Sequence, residues 1–163
     1  MTANLLLRRA GPADAPAIDA LTQAAYAGWV PILGRKPRPM TADYVAAVRA
    51  HRIDLLEDVA GLVALIEMAL KPDHLLIVNL AVAPAHQGQG HGSRLLVHAE
   101  AVARAEGKPL LRLYTNRLMT PNITLYRARG YTIDGEEAYA GGVVVHMSKP
   151  VPPGALAAAK SPR

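Results

Sequence analysis

The chain has 163 residues, of which 51% are apolar, and this combination predicts one folded domain and excludes a chain that is disordered throughout. It contains no cysteine, which excludes both a disulfide framework and a thiolate nucleophile. Its net charge of +5 suits a nucleic acid, an anionic cofactor or an acidic substrate, but the basic residues are scattered apart from "GRKPR" at 34–38, so we expect no nucleic-acid partner.

No segment of the sequence has the pattern of a membrane span or a secretory signal. The longest apolar stretch, "LLIVNLAVAPA", is broken by Asn79 and Pro84 and falls short of the roughly 20 residues that a bilayer requires. The N-terminal "MTANLLLRRA" carries its arginines after the apolar run rather than before it. We therefore expect a cytoplasmic protein without a membrane partner.

The first half of the chain predicts a strand, two helices and a pair of strands. A strand over 4–11 ends at Gly11, and residues 12–29 follow as a helix. Residues 30–39 are rich in Pro and Gly and predict a loop, and Thr41 is a plausible N-cap for a helix over 41–51. Residues 53–68 predict two strands joined by a tight turn near Asp58–Gly61.

The second half predicts alternating strands and helices followed by a hairpin. The predicted elements are a buried strand over 73–82, a helix over 92–107, a strand over 109–115, a helix over 120–130 capped by Thr120, and a hairpin over 131–150. This order predicts an α/β layered domain over residues 1–150, with a twisted mixed sheet and helices on both faces. The Pro/Ala-rich residues 151–163 predict a disordered tail.

Three glycines at alternate positions separate the buried strand from the helix at 92–107. They lie in "VAPAHQGQGHG" at 82–92, as Gly88, Gly90 and Gly92. A strand, a glycine-rich turn and a helix N-terminus together form an anion site, because unpaired N–H groups and the helix dipole face the ligand. A P-loop, a Rossmann loop and a coenzyme A site are three interpretations of the segment. It lacks the Lys of the first and the spacing and acidic residue of the second.

Two segments of the sequence resemble motifs of the GCN5-related N-acetyltransferase (GNAT) superfamily. "NLAVAPAHQGQGHGSRLL" resembles motif A, and "NITLYRARGY" at 122–131 resembles motif B. The order of elements is similar to that of the family over roughly residues 4–150. The resemblance implies a GNAT-like fold, with a V-shaped split between the strands at 73–82 and 109–115 that admits acetyl-CoA.

The resemblance also assigns a set of cofactor contacts. The backbone around Leu80 and Val82 would pair with the pantetheine arm, and Asn122 would hydrogen-bond to it. The diphosphate would be held by the backbone amides of Gln87, Gly88, Gln89, Gly90, His91, Gly92 and Ser93. His91 departs from the apolar side chain that is usual in relatives, and we expect it to be either a surface residue or an added positive charge.

The resemblance makes Tyr126 the proton donor to the departing thiolate, a role suited to a nearby O–H group. The base that deprotonates the acceptor amine is less clearly marked, because no acidic residue lies between Asp73 and Pro84. Glu67 is the best substitute for this general base. The alternatives are a water ordered by Asn79, or His74. The reaction implied is direct acetyl transfer to a primary amine in a ternary complex, without a metal ion.

The acceptor is expected to be a small-molecule or peptide amine, bound by Tyr26, Trp29, Tyr44 and Asn116. The aromatic members of this set suit a pocket wall as well as ordinary packing. Asn116 suits the cap of a turn as well as a substrate contact. A homodimer is also expected from the family.

Two other functions are alternatives to an acetyltransferase. The missing strand glutamate favours a non-catalytic module that binds coenzyme A for regulation. The positive net charge favours a nucleic-acid-binding protein.

Overall fold

The computed structural model describes residues 4–153, which divide into two compact units. The first unit comprises residues 4–69 and 78–95, and the second comprises 70–77 and 96–153. No helix in these residues is long and apolar enough to cross a membrane. The expected single domain over 1–150 stays a prediction.

Seven strands form one mixed sheet, in agreement with the predicted fold class. In chain order they are β1 (Leu6–Arg9), β2 (Arg52–Asp58), β3 (Gly61–Leu70), β4 (Leu75–Val82), β5 (Leu110–Asn116), β6 (Thr132–Tyr139) and β7 (Gly142–Pro150). Their order in the sheet is β1-β2-β3-β4-β5-β7-β6. The β1-β2, β2-β3, β5-β7 and β6-β7 pairs are antiparallel, whereas β4 and β5 pair in parallel.

The parallel ladder between β4 and β5 is short. Leu75, Leu76 and Ile77 pair with Leu111, Arg112 and Leu113, and both strands continue beyond the last pair. A parallel pair requires a crossover connection, which here contains the longest helix of the described chain.

Within the described residues, six helices connect the strands. They are α1 (Ala15–Tyr26), α2 (Val30–Leu33), α3 (Arg38–Thr41), α4 (Tyr44–Ala50), α5 (His91–Ala105) and α6 (Thr120–Ala128), with short 3-10 turns at Pro12–Asp14, Ala27–Trp29 and Pro84–His86. In the first unit, α1 and α4 pack on one face of the sheet through the side chains Ile18, Leu21, Tyr44, Ala47, Ile53, Leu55, Leu65 and Ala81. We call this face the α1/α4 face.

The predicted loop at 30–39 and the predicted cap Thr41 are wrong. Proline and glycine delimit short helices here rather than prevent them, since α2 has Pro at its N-terminus and ends at Gly34, whose φ is +73°. Thr41 closes α3 through a bond from its hydroxyl to the Arg38 carbonyl at 3.1 Å. The cap of α4 is Asp43, whose carboxylate accepts the Ala46 N–H at 3.2 Å.

Two further boundaries differ from the predictions. Thr120 is the first residue of α6 rather than its cap, and Met119 occupies the cap position. The predicted disordered tail begins too early at residue 151, because Val151 is 7% exposed and its N–H donates to the Pro109 carbonyl at 2.9 Å. The rest of that tail, residues 154–163, lies outside the described residues.

Candidate active site

The loop after β4 makes its turn with two glycines in the left-handed region. Gly88 has a φ of +77° and Gly90 a φ of +85°, and α5 begins at the next residue. Apart from the adjacent residues, a Cβ at either position would meet no atom of the described chain within 4 Å. The backbone conformation, and not crowding by the protein, therefore explains both glycines.

The turn presents a run of backbone donors. The backbone N–H of Gln87 donates to the Pro84 carbonyl at 3.4 Å, and the backbone N–H of Arg94 donates to the Gly90 carbonyl at 3.0 Å. Between them, no N–H group of residues 88–93 donates to an acceptor in the described part of the chain. The Gln87 N–H is thus already hydrogen-bonded within the protein, and its predicted contact with a diphosphate stays a prediction.

Gln87 ties the loop to the strand that precedes it. Its Nε2 donates to the Val82 carbonyl at 3.1 Å. The carbonyl of Leu80, two residues earlier, accepts the Tyr26 hydroxyl at 3.2 Å. A carbonyl oxygen has two lone pairs, so each retains the capacity for a further bond.

A buried polar network lies beside this strand. Asn79 is 2% exposed, and its Nδ2 donates to the Thr22 hydroxyl and to the Tyr44 hydroxyl, each at 3.2 Å. Its Oδ1 accepts the Tyr26 hydroxyl at 2.9 Å, while Tyr44 donates to the Pro39 carbonyl at 2.6 Å. Both N–H groups of Asn79 are thus used within the protein, which leaves it little capacity to order a catalytic water.

Glu67 lies in β3 with a histidine as its partner. The carboxylate is buried, and its Oε2 is 2.6 Å from the Nδ1 of His51, which follows α4. Burial raises the pKa of Tyr44 to about 12, and the negative charge of Glu67 adds to this rise. Glu67 therefore belongs to the same side of the sheet as the Asn79 network.

The predicted substrate residues of the first unit differ in exposure. Tyr44 is 3% exposed and packs in the core of the α1/α4 face. Tyr26 and Trp29 are half-buried, and the Tyr26 hydroxyl points at β4. Substrate contact by these residues stays a prediction, which the placement of Tyr44 does not favour.

In the second unit, α6 presents two polar groups one turn apart. The Asn122 amide contacts only the Met119 sulfur, at 4.0 Å, among the described side chains. Tyr126 is 8% exposed and packs edge-on against Tyr131 with ring centroids 6.0 Å apart. Within residues 4–153 its hydroxyl has no hydrogen-bond partner, and burial raises its pKa to about 12.

Asn116, at the end of β5, acts as the cap of a turn. Its Oδ1 accepts the Leu118 N–H at 2.9 Å, which is the capping interaction that its sequence position allowed. A contact with substrate by its remaining amide group stays a prediction.

Sequence reasoning did not pair His51 with Glu67 or place Thr22 in a network. His51 and Glu67 are 16 positions apart, and no local motif joins them. Alternation along two paired strands is the signal that could have found them, since β2 and β3 run antiparallel with Ile53 opposite Glu67.

Residues 18–131 match the Acetyltransferase (GNAT) family. This range covers more than half of the chain and includes the glycine loop, Glu67, Asn122 and Tyr126. The chain therefore belongs to the GNAT family of acetyltransferases, as its two motifs predicted.

The sequence is similar to streptothricin acetyltransferase from Streptomyces lavendulae, with 33% identity over 102 residues that make up 58% of this chain and 53% of that relative. The match thus spans about half the length of the relative. The fold is similar to that of nourseothricin acetyltransferase, with a TM-score of 0.71 and 24% identity over 91% of this chain and 99% of the other. It is also similar to yncA from Salmonella typhimurium with its cofactor acetyl-CoA, with a TM-score of 0.73 and 20% identity over 98% of each chain.

Proposed function

We propose that this protein is an acetyl-CoA-dependent N-acetyltransferase that acetylates a primary amine of a small molecule or peptide. The observation that carries the proposal is the loop from Gly88 to Ser93, which lies in the family match and presents backbone N–H groups that have no acceptor among residues 4–153. Such groups at the N-terminus of a helix suit a diphosphate. The two positive-φ glycines keep Cβ atoms away from that ligand.

The residues of the loop and of β4 fit coenzyme A as a cosubstrate. Backbone N–H groups of residues 88–93 would bind the diphosphate, and the free lone pairs of Leu80 and Val82 would accept from the pantetheine amides. The Gln87 side chain fixes the loop to the end of the strand. When bound, acetyl-CoA would supply an activated acetyl group whose leaving group is a thiolate.

Tyr126 would donate a proton to that thiolate. A raised pKa keeps the phenol neutral at physiological pH, which is the state that a proton donor needs. Asn122, one turn earlier, would hydrogen-bond to the pantetheine. Both groups lack a strong hydrogen bond within the described residues, which supports a ligand as their partner.

Glu67 would take the proton from the acceptor ammonium, directly or through a water. The N–H bond of the amine then breaks, an O–H bond forms on the carboxylate, and the nitrogen lone pair is left for attack on the acetyl carbonyl. In this proposal Tyr44 supports the site through the Asn79 network, and Tyr26 and Trp29 are the side chains that face the acceptor.

The acceptor panel follows from the relatives. The names of two of them specify streptothricin and nourseothricin, so these amines should be tested first, followed by polyamines and peptide N-termini. Because the match covers only about half of the streptothricin enzyme, that specificity is part of the proposal.

Isothermal titration with acetyl-CoA, with NAD and ATP as controls, tests the binding step. We expect micromolar binding of acetyl-CoA alone, and then release of free thiol in the presence of an acceptor. Binding without thiol release across the panel would favour a non-catalytic CoA-binding module. Absence of binding, with a salt-sensitive affinity for nucleic acid, would overturn the proposal.

A further inference from the structure

The pair His51–Glu67 is set by the strand register on the α1/α4 face. Ile53 of β2 lies opposite Glu67 of β3, and Leu65, two residues before Glu67, belongs to the core of that face. Side chains alternate along a strand, so Glu67 points to the face of Leu65. His51 lies just before β2 with an extended backbone, two residues before Ile53, and its side chain therefore points to the face of Ile53. The same face therefore carries both residues, and their side chains meet at 2.6 Å.

The two partners differ sharply in exposure. The Glu67 side chain is 4% exposed, whereas that of His51 is 31% exposed. A buried carboxylate is costly unless it is hydrogen-bonded, and within residues 4–153 His51 is the side chain that hydrogen-bonds to it. Since a carboxylate needs a donor, the short contact assigns a proton to Nδ1 of His51.

The neighbouring polar groups of this face are committed elsewhere. The Tyr44 hydroxyl donates to the Pro39 carbonyl, and the Asn79 amide donates to Thr22 and Tyr44. These groups therefore leave the orientation of Glu67 to His51. The backbone of His51 is itself fixed at the end of α4, because its backbone N–H donates to the Ala47 carbonyl at 2.8 Å.

We propose that His51 is a positioning residue for Glu67 as the general base of acetyl transfer. The Nδ1–H group holds Oε2, which leaves Oε1 to accept the proton of the acceptor ammonium. This inference rests on the proposed function and adds to it a residue that does not touch the substrate. It predicts that His51 affects catalysis only while Glu67 is present.

The test is a double-mutant cycle with kcat as the readout. His51→Leu removes the donor, and we expect kcat to fall by about tenfold or more, while the KM for acetyl-CoA changes by less than about twofold. His51→Asn retains an N–H donor near the position of Nδ1, and we expect it to restore kcat to within about threefold of wild type. In the Glu67→Gln background, His51→Leu should cause no further loss.

A matched control is available in the second unit. The Nε2 of His146 is 2.5 Å from the Oε1 of Glu137, in an exposed pair on β7 and β6. His146→Leu removes a contact of the same chemistry and should leave kcat unchanged.

Several outcomes would overturn the inference. These are an unchanged kcat in His51→Leu, an equal loss in the presence and absence of Glu67, or no rescue by His51→Asn. Thermal unfolding shows whether His51→Leu folds. If it does not, His51→Asn is compared with His51→Gln at equal Tm, and we expect the higher kcat for His51→Asn. If Glu67→Gln retains full kcat, the inference fails while acetyl-CoA-dependent thiol release by the wild type still supports the proposed function.

Discussion

The hydroxyl of Tyr26 donates to the Oδ1 of Asn79 at 2.9 Å, and this contact joins the last residue of α1 to the middle of β4. The same hydroxyl lies 3.2 Å from the Leu80 carbonyl. A single phenol therefore connects the helix expected to face the acceptor with the strand expected to face the cofactor arm.

Asn79→Leu should destabilise the protein by about 1–3 kcal/mol, because an apolar side chain removes the two hydrogen bonds that the buried Asn79 amide donates to the hydroxyls of Thr22 and Tyr44. Urea denaturation measures this loss as a lower midpoint. Asn122→Leu is the control for stability, since the Asn122 amide contacts only a methionine sulfur among the described side chains. Equal stability of the two variants would contradict the network role of Asn79.

Gly90→Ala should weaken acetyl-CoA binding. A Cβ at a φ of +85° costs roughly 1–2 kcal/mol and shifts the backbone that presents the N–H groups. Gly107→Ala is the matched control, because Gly107 has a φ of +68°, also lacks protein atoms within 4 Å of a Cβ, and lies after the far end of α5. Titration calorimetry should show a loss of affinity for Gly90→Ala alone, and a similar loss in both would point to general strain.

Tyr126→Phe should lower kcat by more than about tenfold and leave acetyl-CoA affinity near the wild-type value, since only the proton donor is removed. Stopped-flow or steady-state thiol release measures kcat, and calorimetry measures affinity. An unchanged kcat would remove Tyr126 from the mechanism.

The pH profile offers a second check on Tyr126. Burial raises its pKa to about 12, so the phenol stays protonated well above the ordinary value of 10.0. We therefore expect no decline of kcat from Tyr126 ionisation below about pH 10. A decline near neutral pH that disappears in Tyr126→Phe would show that the phenol ionises too early to serve as the donor.

Asp14 should contribute to stability above its ordinary pKa of 3.8 and lose that contribution as the pH falls. Hydrogen bonds from Arg8, at 2.8 and 3.0 Å, and from the Gly11 N–H lower the pKa of this carboxyl. Between about pH 5 and pH 2, the free energy of unfolding should therefore fall less steeply in Asp14→Asn than in the wild type. Asp134→Asn, on the exposed strand β6, serves as the control, and identical slopes for Asp14→Asn and wild type would contradict the prediction.

The sequence predicted the features that depend on local patterns. Alternation and apolar runs located the strands, and the glycine spacing located the turn before α5 because only glycine accepts a φ near +80° at little cost. The sequence did not predict the short helices α2 and α3. Pro and Gly interrupt the apolar periodicity both in a loop and at the ends of a single helical turn, so the two cases have the same sequence pattern.

The polar partners of the candidate site depend on register, which a single sequence specifies weakly. For Tyr44 the sequence suits a pocket wall as well as ordinary packing, and α4 turns its ring into the core, where its hydroxyl contacts Pro39 and Asn79. The sequence offers Glu67 as a substitute for an acidic residue missing between Asp73 and Pro84, whereas its burial and its histidine partner follow from the pairing of β2 with β3.

The last strand of the sheet carries a consequence for solubility. Every residue of β6 is exposed, and no other strand of residues 4–153 pairs with its outer edge. An edge of this length can pair with a strand of another chain. Here the edge carries Asp134, Glu136 and Glu137, and a register shift between Ile133 and Gly135 interrupts its ladder. Charge repulsion and the irregular ladder oppose edge-to-edge pairing of two copies through this strand.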